Sequence, residues 1–440
     1  MRNRVMSRII RSPSQKAARR FPVTVTGGLC VWALVAVLYI ARSPGGAFAH
    51  DFPGHRQYTQ ILALEHRLPH PREGVECYQP PLYYLLNVLL LPRAAGHIFI
   101  VRVVSVLYGV LTLGLVAGIL RRLEVPDETQ FLALGLLATT PAFLFLFTTY
   151  NNDALATLIS VAMLAVAYEL FAHWKPRNLI LLGALAGIGV YVKLTALVLL
   201  AVLMIVLAFL SLTHRWPFRR FWKVGGVLLA AACLLIPWLI GHNLRLTGRL
   251  FPSPPDYEPF APLRLPAGPL RTLLTPPGWT AGEWADPFTH MWDATGNKNS
   301  SYVAYLFLTS IFGEQTLGFF PRAIARALAC LHGFLWISAS VLAWRSAKGR
   351  LAWTLVVLGF GLWGLILFHT PLACMMDFRY VAWVWLPAAA LYSVILSGPG
   401  APDRRQGWPS AMAAAMMSGI VLQSFILLIL IANGRWRWPY

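Results

Sequence analysis

The sequence predicts an all-α polytopic integral membrane protein with about eleven transmembrane helices, and three observations carry that expectation. Of 440 residues, 57% are hydrophobic and only 12% charged. A soluble chain carries roughly a quarter charged residues, so an ordinary soluble enzyme is excluded. Apolar runs close to the roughly 20 residues that cross a hydrocarbon layer recur along the chain. The net charge of +20, from 37 Lys and Arg against 17 Asp and Glu, lies between those runs. That is the placement of a membrane protein, not of a nucleic-acid binder.

The expected spans are 21–41, 98–120, 129–149, 153–172, 179–191, 194–212, 224–241, 322–344, 351–368, 380–396 and 410–432. Each is bounded by polar residues. Seven basic residues from Arg2 to Arg20 precede the first span, and Arg121-Arg122 follow the second. Asn151-Asn152-Asp153 divide the third from the fourth, and Lys175 and Arg177 close the fourth. Lys193 separates two short runs. Arg215, Arg219, Arg220 and Lys223 precede the seventh span, and Arg345, Lys348 and Arg350 separate the eighth from the ninth. Asp377 and Arg379 precede the tenth, and Arg404-Arg405 the eleventh.

Alternation puts the N-terminus and five short loops on one side. Those segments hold 20 of the 37 basic residues, whereas 12 of the 17 acids fall on the other side. The positive-inside rule makes the basic side cytoplasmic. A cleaved signal peptide ending at Ala47-Phe48-Ala49 is the competing reading. The long basic region and near-spanning apolar run favour an uncleaved anchor. The expected organisation is a basic cytoplasmic tail, 1–20, and one transmembrane domain, 21–440, with long outer loops at 42–97 and 242–321.

In the first outer loop, an apolar stretch bracketed by Pro80-Pro81 and Pro92 is about half a membrane thickness, so it should dip into the outer interface. In the second, ten prolines between Phe251 and Phe288 leave little room for helix. A half-buried helix is expected at 302–312. The five cysteines form no metal-ligand spacing. Cys77 and Cys374 both fall outside, which leaves a disulfide between them open.

Ionisable residues are nearly absent from the spans, which counts against an ion-coupled transporter. Polar clusters gather instead on the outer side. They are Asp51, His55 and Arg56; Glu76 to Gln79; Tyr150 to Asp153; Lys193; His369; and Asp377 to Tyr380. A carboxylate there can take a proton from a hydroxyl or hold a divalent cation. Lys and Arg there can neutralise a lipid-borne phosphate.

These residues carry a resemblance. Asp51-Phe52-Pro53-Gly54-His55, Leu68-Pro69 and Gln79-Pro80-Pro81-Leu82-Tyr83-Tyr84 resemble the first outer loop of GT-C glycosyltransferases, such as the protein O-mannosyltransferases and the aminoarabinose transferases of lipid A. Residues 101–112, around Arg102, resemble their LRLVSVLLGALT helix, and Asn152-Asp153-Ala154-Leu155 their PDAL helix start. Gly187 to Lys193 resembles their Gly-rich run ending in lysine, and Asp377-Phe378-Arg379-Tyr380 their late RYLLP helix.

The resemblance implies a GT-C-like fold with juxtamembrane helices in the first outer loop. It implies an inverting transferase of the bacterial inner membrane that draws on a polyprenyl-phosphate sugar. Asp51 takes the place of the catalytic carboxylate, and Lys193 and Arg379 those of cations near the donor phosphate. His55, Gln79, Arg102, Asn152, Asp153 and Tyr380 are expected to support the site. Where the family often has a second acid, as D-E-x-x-H, this chain has Phe52.

Several readings stay open on the residues alone. His55 serves equally as a donor or metal contact and as an interfacial histidine; Asp51 with His55 is the candidate metal pair, and no cofactor beyond a divalent cation is implied. Asn152 and Asp153 suit an N-cap and first-turn acid. Arg102 can pair with phosphate or with a backbone carbonyl. Arg379 can pair with Asp377. Tyr83-Tyr84, Trp284 and Trp292 read first as interfacial aromatics. The expected partners are the lipid-linked donor, membrane lipids and a glycan, lipid or protein acceptor, with no nucleic acid. The rival functions are a lipid-linked polysaccharide ligase or polymerase and a non-enzymatic flippase.

Overall fold

The computed structural model describes residues 23–43, 51–90, 97–213, 216–250, 264–265, 268–276, 301–313, 322–344, 346–397 and 407–433. The basic tail, the Ala47-Phe48-Ala49 stretch and Trp284 and Trp292 lie outside those residues. Among the described residues the fold is helical, and the sole β feature is an isolated bridge between Arg264 and Leu372.

The helices are α1 (Val23–Arg42), α2 (Phe52–Gln60), α3 (Leu82–Leu90), α4 (His97–Arg122), α5 (Asp127–Thr139), α6 (Pro141–Thr148), α7 (Asp153–Ala172), α8 (Pro176–Val192) and α9 (Ala196–Leu212). There follow α10 (Phe218–Cys233), α11 (Pro269–Leu274), α12 (Tyr302–Phe312), α13 (Arg322–Ala343), α14 (Ala347–Ile366), α15 (Trp385–Ser397) and α16 (Gly407–Asn433). Among the described residues, seven helical stretches are long and apolar enough to cross a membrane, one of them Phe218–Thr247, which continues α10, or eight if α5 and α6 count as one bent span. α8, α9 and α12 are shorter apolar helices. The chain is a multi-pass membrane protein of the expected class, and the seven or eight full-length spans among the described residues do not confirm a count of eleven.

Two expected spans are broken, and both breaks have a local cause. The run at 129–149 bends by 63° between α5 and α6. Thr140 is extended there and Pro141 opens α6, because proline cannot donate to the preceding turn and disfavours helix at the residue before it. The run at 380–396 begins as a 3₁₀ segment, Phe378–Val384, with a non-helical residue at Val381, and becomes α-helical only at Trp385.

α7 and α8 form an antiparallel hairpin joined by His173 to Lys175, with α7 packed against α4 and α8 against α10. Helices of 20 and 17 residues are about 30 and 25 Å long, so the start of α7 and the end of α8 return to one end of the bundle. At the other end Arg122 pairs with Glu169. α1 lies tightly on α4 at Gly109, where any Cβ would collide with the Trp32 and Phe147 rings. A side chain there would force the two helices apart.

Candidate functional site

The first wall of the site comes from the loop after α1. Asp51 immediately precedes α2, and His55 follows one turn later, so the two side chains share a face. The chain then leaves through a π turn, Ile61–Glu65, and a left-handed residue, His66 (φ 52°). Arg67 clamps the return, pairing with Glu65 at 2.7 Å and Glu73 at 2.9 Å. This brings Glu76 beneath α2, where Gly54 leaves room for it; a Cβ on Gly54 would meet Glu76 Cγ at 3.0 Å. Oxygen or nitrogen atoms of Asp51, His55 and Glu76 consequently lie within 4.8 Å of one another.

α3 supplies the backing. The Tyr84 hydroxyl lies 2.9 Å from His55 Nδ1, and its ring stacks on Tyr58 with centroids 3.8 Å apart. Thr59 and Tyr150 share a hydroxyl contact of 2.6 Å that ties α2 to the α6–α7 junction. Tyr83 and Tyr84 are therefore buried parts of the site's scaffold, a correction to their reading as interfacial aromatics. Burial lowers the His55 pKa to about 3, so its imidazole is neutral and has a lone pair to offer. Burial first, and then the neighbouring Asp51 charge, push Glu76 well above the usual carboxylate range.

The second wall is the α7–α8 end of the hairpin. Lys193 sits in an extended break between α8 and α9, and its Nζ lies 2.5 Å from Asp153 Oδ1, with both side chains almost wholly buried. The cap of α7 comes from Asn151, whose Oδ1 accepts the Ala154 N–H at 3.0 Å. Asn152 caps nothing through its side chain. It is fully buried, with neither amide atom partnered.

The third wall is the 3₁₀ segment before α15. Thr309 of α12 accepts the Phe378 N–H at 3.0 Å, and Asp377 Oδ1 accepts the Arg379 N–H at 2.8 Å. Arg379 is thereby aimed inward. Its Nη1 lies 2.7 Å from Asp51 Oδ2, its Nε 3.7 Å from Asp377 Oδ2, and its Nη2 donates to the Tyr380 hydroxyl at 3.0 Å. The expected Arg379–Asp377 contact exists, but it is buried and secondary to the Asp51 pair. The Tyr380 ring lies 4.9 Å from the Arg379 guanidinium and 4.8 Å from Lys193 Nζ. An unbroken chain of contacts thus runs from Asp51 through Arg379, Tyr380 and Lys193 to Asp153.

Beside Lys193 and Tyr380 opens a cavity of about 390 Å³, lined by Gln79, Trp363, His369 and apolar side chains that include Leu197 and Val198. All six outer polar clusters contribute to this region. Arg102 does not: it donates to Thr148 O at 2.6 Å, Ser43 O at 3.3 Å and Ser43 Oγ at 2.6 Å, fastening α1 and α6 to α4. Cys77 and Cys374 are both buried, and neither is in a disulfide.

Buried polar atoms without a partner concentrate here. They include His55 Nε2, Glu76 Oε2, Gln79 Oε1, Asp153 Oδ2 and both amide atoms of Asn152. Each such atom costs about 1–3 kcal/mol, so several in one place mark a site built for a polar ligand. Asp51, His55 and Glu76 suit a divalent cation, since two carboxylates and a neutral imidazole converge there. Glu76, which the sequence reading left out of the site residues, lies in this cluster. It supplies the second carboxylate that Phe52 does not.

Residues 78–240 match the sequence profile of the family described as dolichyl-phosphate-mannose-protein mannosyltransferase. The structure is similar to that of ArnT from Cupriavidus metallidurans bound to undecaprenyl phosphate, with a TM-score of 0.52 and 13% identity over 93% of this chain and 77% of that one. The apo state of the same protein matches with a TM-score of 0.52 and 12% identity, over 93% and 76%. The archaeal oligosaccharyltransferase AglB from Archaeoglobus fulgidus, in complex with an inhibitory peptide and a dolichol-phosphate, gives a TM-score of 0.47 and 14% identity, over 93% and 56%. No curated protein sequence matches the chain. The fold is similar to that of the ArnT structures. Within it, residues 78–240 carry the sequence character of the mannosyltransferase family named above.

Proposed function

We propose that the chain is an inverting glycosyltransferase that moves a sugar from a polyprenyl-phosphate donor to an acceptor hydroxyl at the outer face of the bacterial inner membrane. One observation carries the reading: Asp51, Arg379 and Lys193, distant in sequence, meet beside an apolar cavity of about 390 Å³. A cation beside a lipid-compatible cavity suits a lipid phosphate, and a carboxylate next to it suits an attacking hydroxyl. The matched mannosyltransferase segment and the undecaprenyl phosphate named for the ArnT structure favour the same donor chemistry.

In this mechanism the donor's prenyl tail occupies the cavity and its phosphate lies against Lys193 and Arg379. Asp51 takes the proton of the acceptor hydroxyl as its oxygen attacks the anomeric carbon from the face opposite the phosphate. The bond from that carbon to the phosphate oxygen breaks, and polyprenyl phosphate leaves. Phosphate is already a good leaving group, so one carboxylate suffices as proton acceptor. Arg379 has a second task. In the empty site it holds Asp51 in an ion pair, so phosphate binding competes with Asp51 for the guanidinium and frees the carboxylate to act as base. Asp51, His55 and Glu76 would hold a divalent cation, which would supply positive charge against the phosphate.

The test is Asp51→Asn in purified, nanodisc-embedded protein. Transfer from a lipid-linked sugar should vanish while the protein stays folded, with Asp377 still beside the Arg379 guanidinium and a cooperative thermal unfolding transition retained. Undiminished turnover would refute the assignment. Movement of lipid-linked sugar across vesicles without glycosidic bond formation would point to a flippase instead.

A further inference from the structure

We propose that α8 and α10 form a binding groove for one anionic phospholipid, its headgroup at the end of the bundle remote from Lys193. The inference is independent of the donor reading, because none of its residues belongs to the site described above.

The two helices run side by side in the same direction. A Cβ on Gly183 would collide with Val227 Cγ1 at 2.5 Å, and one on Gly187 would meet Leu234 Cδ1 at 3.2 Å. Successive residues turn by about 100° around a helix axis, so each helix has a packed flank and an open flank beside that contact. On the packed flanks Ala186 and Val190 of α8 and Val224 and Leu228 of α10 are buried. On the open flanks Ile180 and Ile188 are exposed, as are Ala184, Gly226 and Ala230. A Cβ on Gly226 would meet nothing within 4 Å. Both open flanks face the same side and make one shallow apolar groove. From Arg177 to Tyr191 it measures about 20 Å at 1.5 Å per residue, enough for an acyl chain that fills one leaflet, about 15 Å of hydrocarbon. It closes towards the site where the Tyr191 hydroxyl donates to Leu234 O at 2.6 Å.

An open apolar flank is ordinary for a helix that meets lipid, and the charges at its mouth set this one apart. Arg177 heads the open flank of α8, and Arg219 and Lys223 head that of α10; all three are exposed. No ion pair holds any of them among the described residues, whereas nearby Arg122 pairs with Glu169, Lys348 donates to Leu123 O at 2.9 Å and Arg350 to Trp344 O at 2.7 Å. Neither Asp nor Glu occurs between Glu169 and Asp256, so neither loop beside the groove brings a counter-charge. The two helix starts are fixed to one another, since Arg220 lies over the Trp174 ring at 5.1 Å and Trp174 meets Trp216 at 5.8 Å. Trp222, 63% exposed, stands beside the mouth as an interfacial aromatic. Three unanswered cations above an apolar groove match a phosphodiester lipid with a net negative charge. A zwitterionic headgroup would bring its own ammonium to those cations, and a soluble anion would leave the groove uncovered.

The experiment is native mass spectrometry of the full chain in detergent, titrated with dioleoyl phosphatidylglycerol or dioleoyl phosphatidylcholine. The first adduct should form about tenfold more tightly with the anionic lipid, as expected for several basic side chains at one headgroup. Arg177→Gln combined with Arg219→Gln should remove most of that preference. Arg121→Gln combined with Arg350→Gln removes equal charge from the same end outside the groove, and should leave the preference nearly intact. Gly226→Phe fills the groove without touching the cations, and should weaken both lipids several-fold. An unaltered chain without preference, or a preference that survives the first pair of changes, would overturn the site. Equal losses from the two pairs would reduce the effect to a diffuse field and overturn it as well. Displacement of the lipid by millimolar glycerol phosphate would overturn the lipid assignment in favour of a simple phosphate site.

Discussion

The buried ion pair between Lys193 and Asp153 is the sharpest place to strike the site. At an effective dielectric constant of about 20, opposite charges 2.5 Å apart attract by about 7 kcal/mol before the loss of hydration is counted. Both side chains are at most 3% exposed, so most of that attraction is offset by desolvation when the pair is intact. Remove one partner and the balance fails. Asp153→Asn strands an ammonium and Lys193→Met strands a carboxylate, and each single change should cost about 3–5 kcal/mol. The double variant, Asp153→Asn with Lys193→Met, should recover most of that loss, because it leaves no orphan charge. Unfolding in a graded detergent mixture gives the three free energies and their coupling. A second readout separates function from folding. Saturating undecaprenyl phosphate should raise the stability of Asp153→Asn more than that of the unaltered chain, since the phosphate replaces the missing carboxylate at Lys193. It should do little for the double variant. Single variants that lose less than about 1 kcal/mol, with a double variant that is simply their sum, would refute an isolated buried pair.

Two further outcomes follow from named contacts. Arg102→Met removes three hydrogen bonds and leaves the Thr148 carbonyl and Ser43 without those donors, so stability should fall by a few kcal/mol, on the order of 1–3 per orphaned group. Affinity for undecaprenyl phosphate should stay unchanged, and a loss of affinity without a loss of stability would return Arg102 to the phosphate site. Tyr84→Phe keeps the stack on Tyr58 but deletes the hydroxyl that orients His55. Titration with Mn²⁺ should show about 10–100-fold weaker binding than in the unaltered chain, as expected when the group that orients a ligating histidine is lost.

What was legible in the sequence was whatever apolar length and charge punctuation decide. The segment 153–172 was bounded correctly because Asn151 to Asp153 on one side and Lys175-Pro176 on the other end an uninterrupted apolar run. The helix at Tyr302–Phe312 was likewise visible as a short apolar island. The bend at Pro141 was missed because hydropathy is continuous across 129–149, although the proline itself was a signal. The start of the last-but-one span was misjudged for a similar reason: an apolar 3₁₀ segment and an apolar α-helix read alike. In the site, residue identity was legible but partnership was not. Lys193 and Arg379 stood out as isolated cations near expected span ends. Their acids, Asp153 and Asp51, lie 40 residues before the one and more than 300 before the other, and only folding joins them. Glu76 was hidden among Glu65 and Glu73, which serve an Arg67 clamp on the loop's surface. Its proximity to Pro80-Pro81 was the one available hint, because it fixes the residue near the entry of α3.

The two cations in this pocket each arrive already answered by an acid. A guest anion therefore takes over a counterion rather than finding a vacancy, and its grip is the difference between two comparable attractions. A diester headgroup carries a single negative charge. The monoester left after cleavage carries up to two, and it meets Asp51, Asp153 and Asp377 at close quarters. In the proposed reaction, moderate hold on the incoming lipid and ready expulsion of the spent one would come from the same arrangement, which would favour turnover over tight storage.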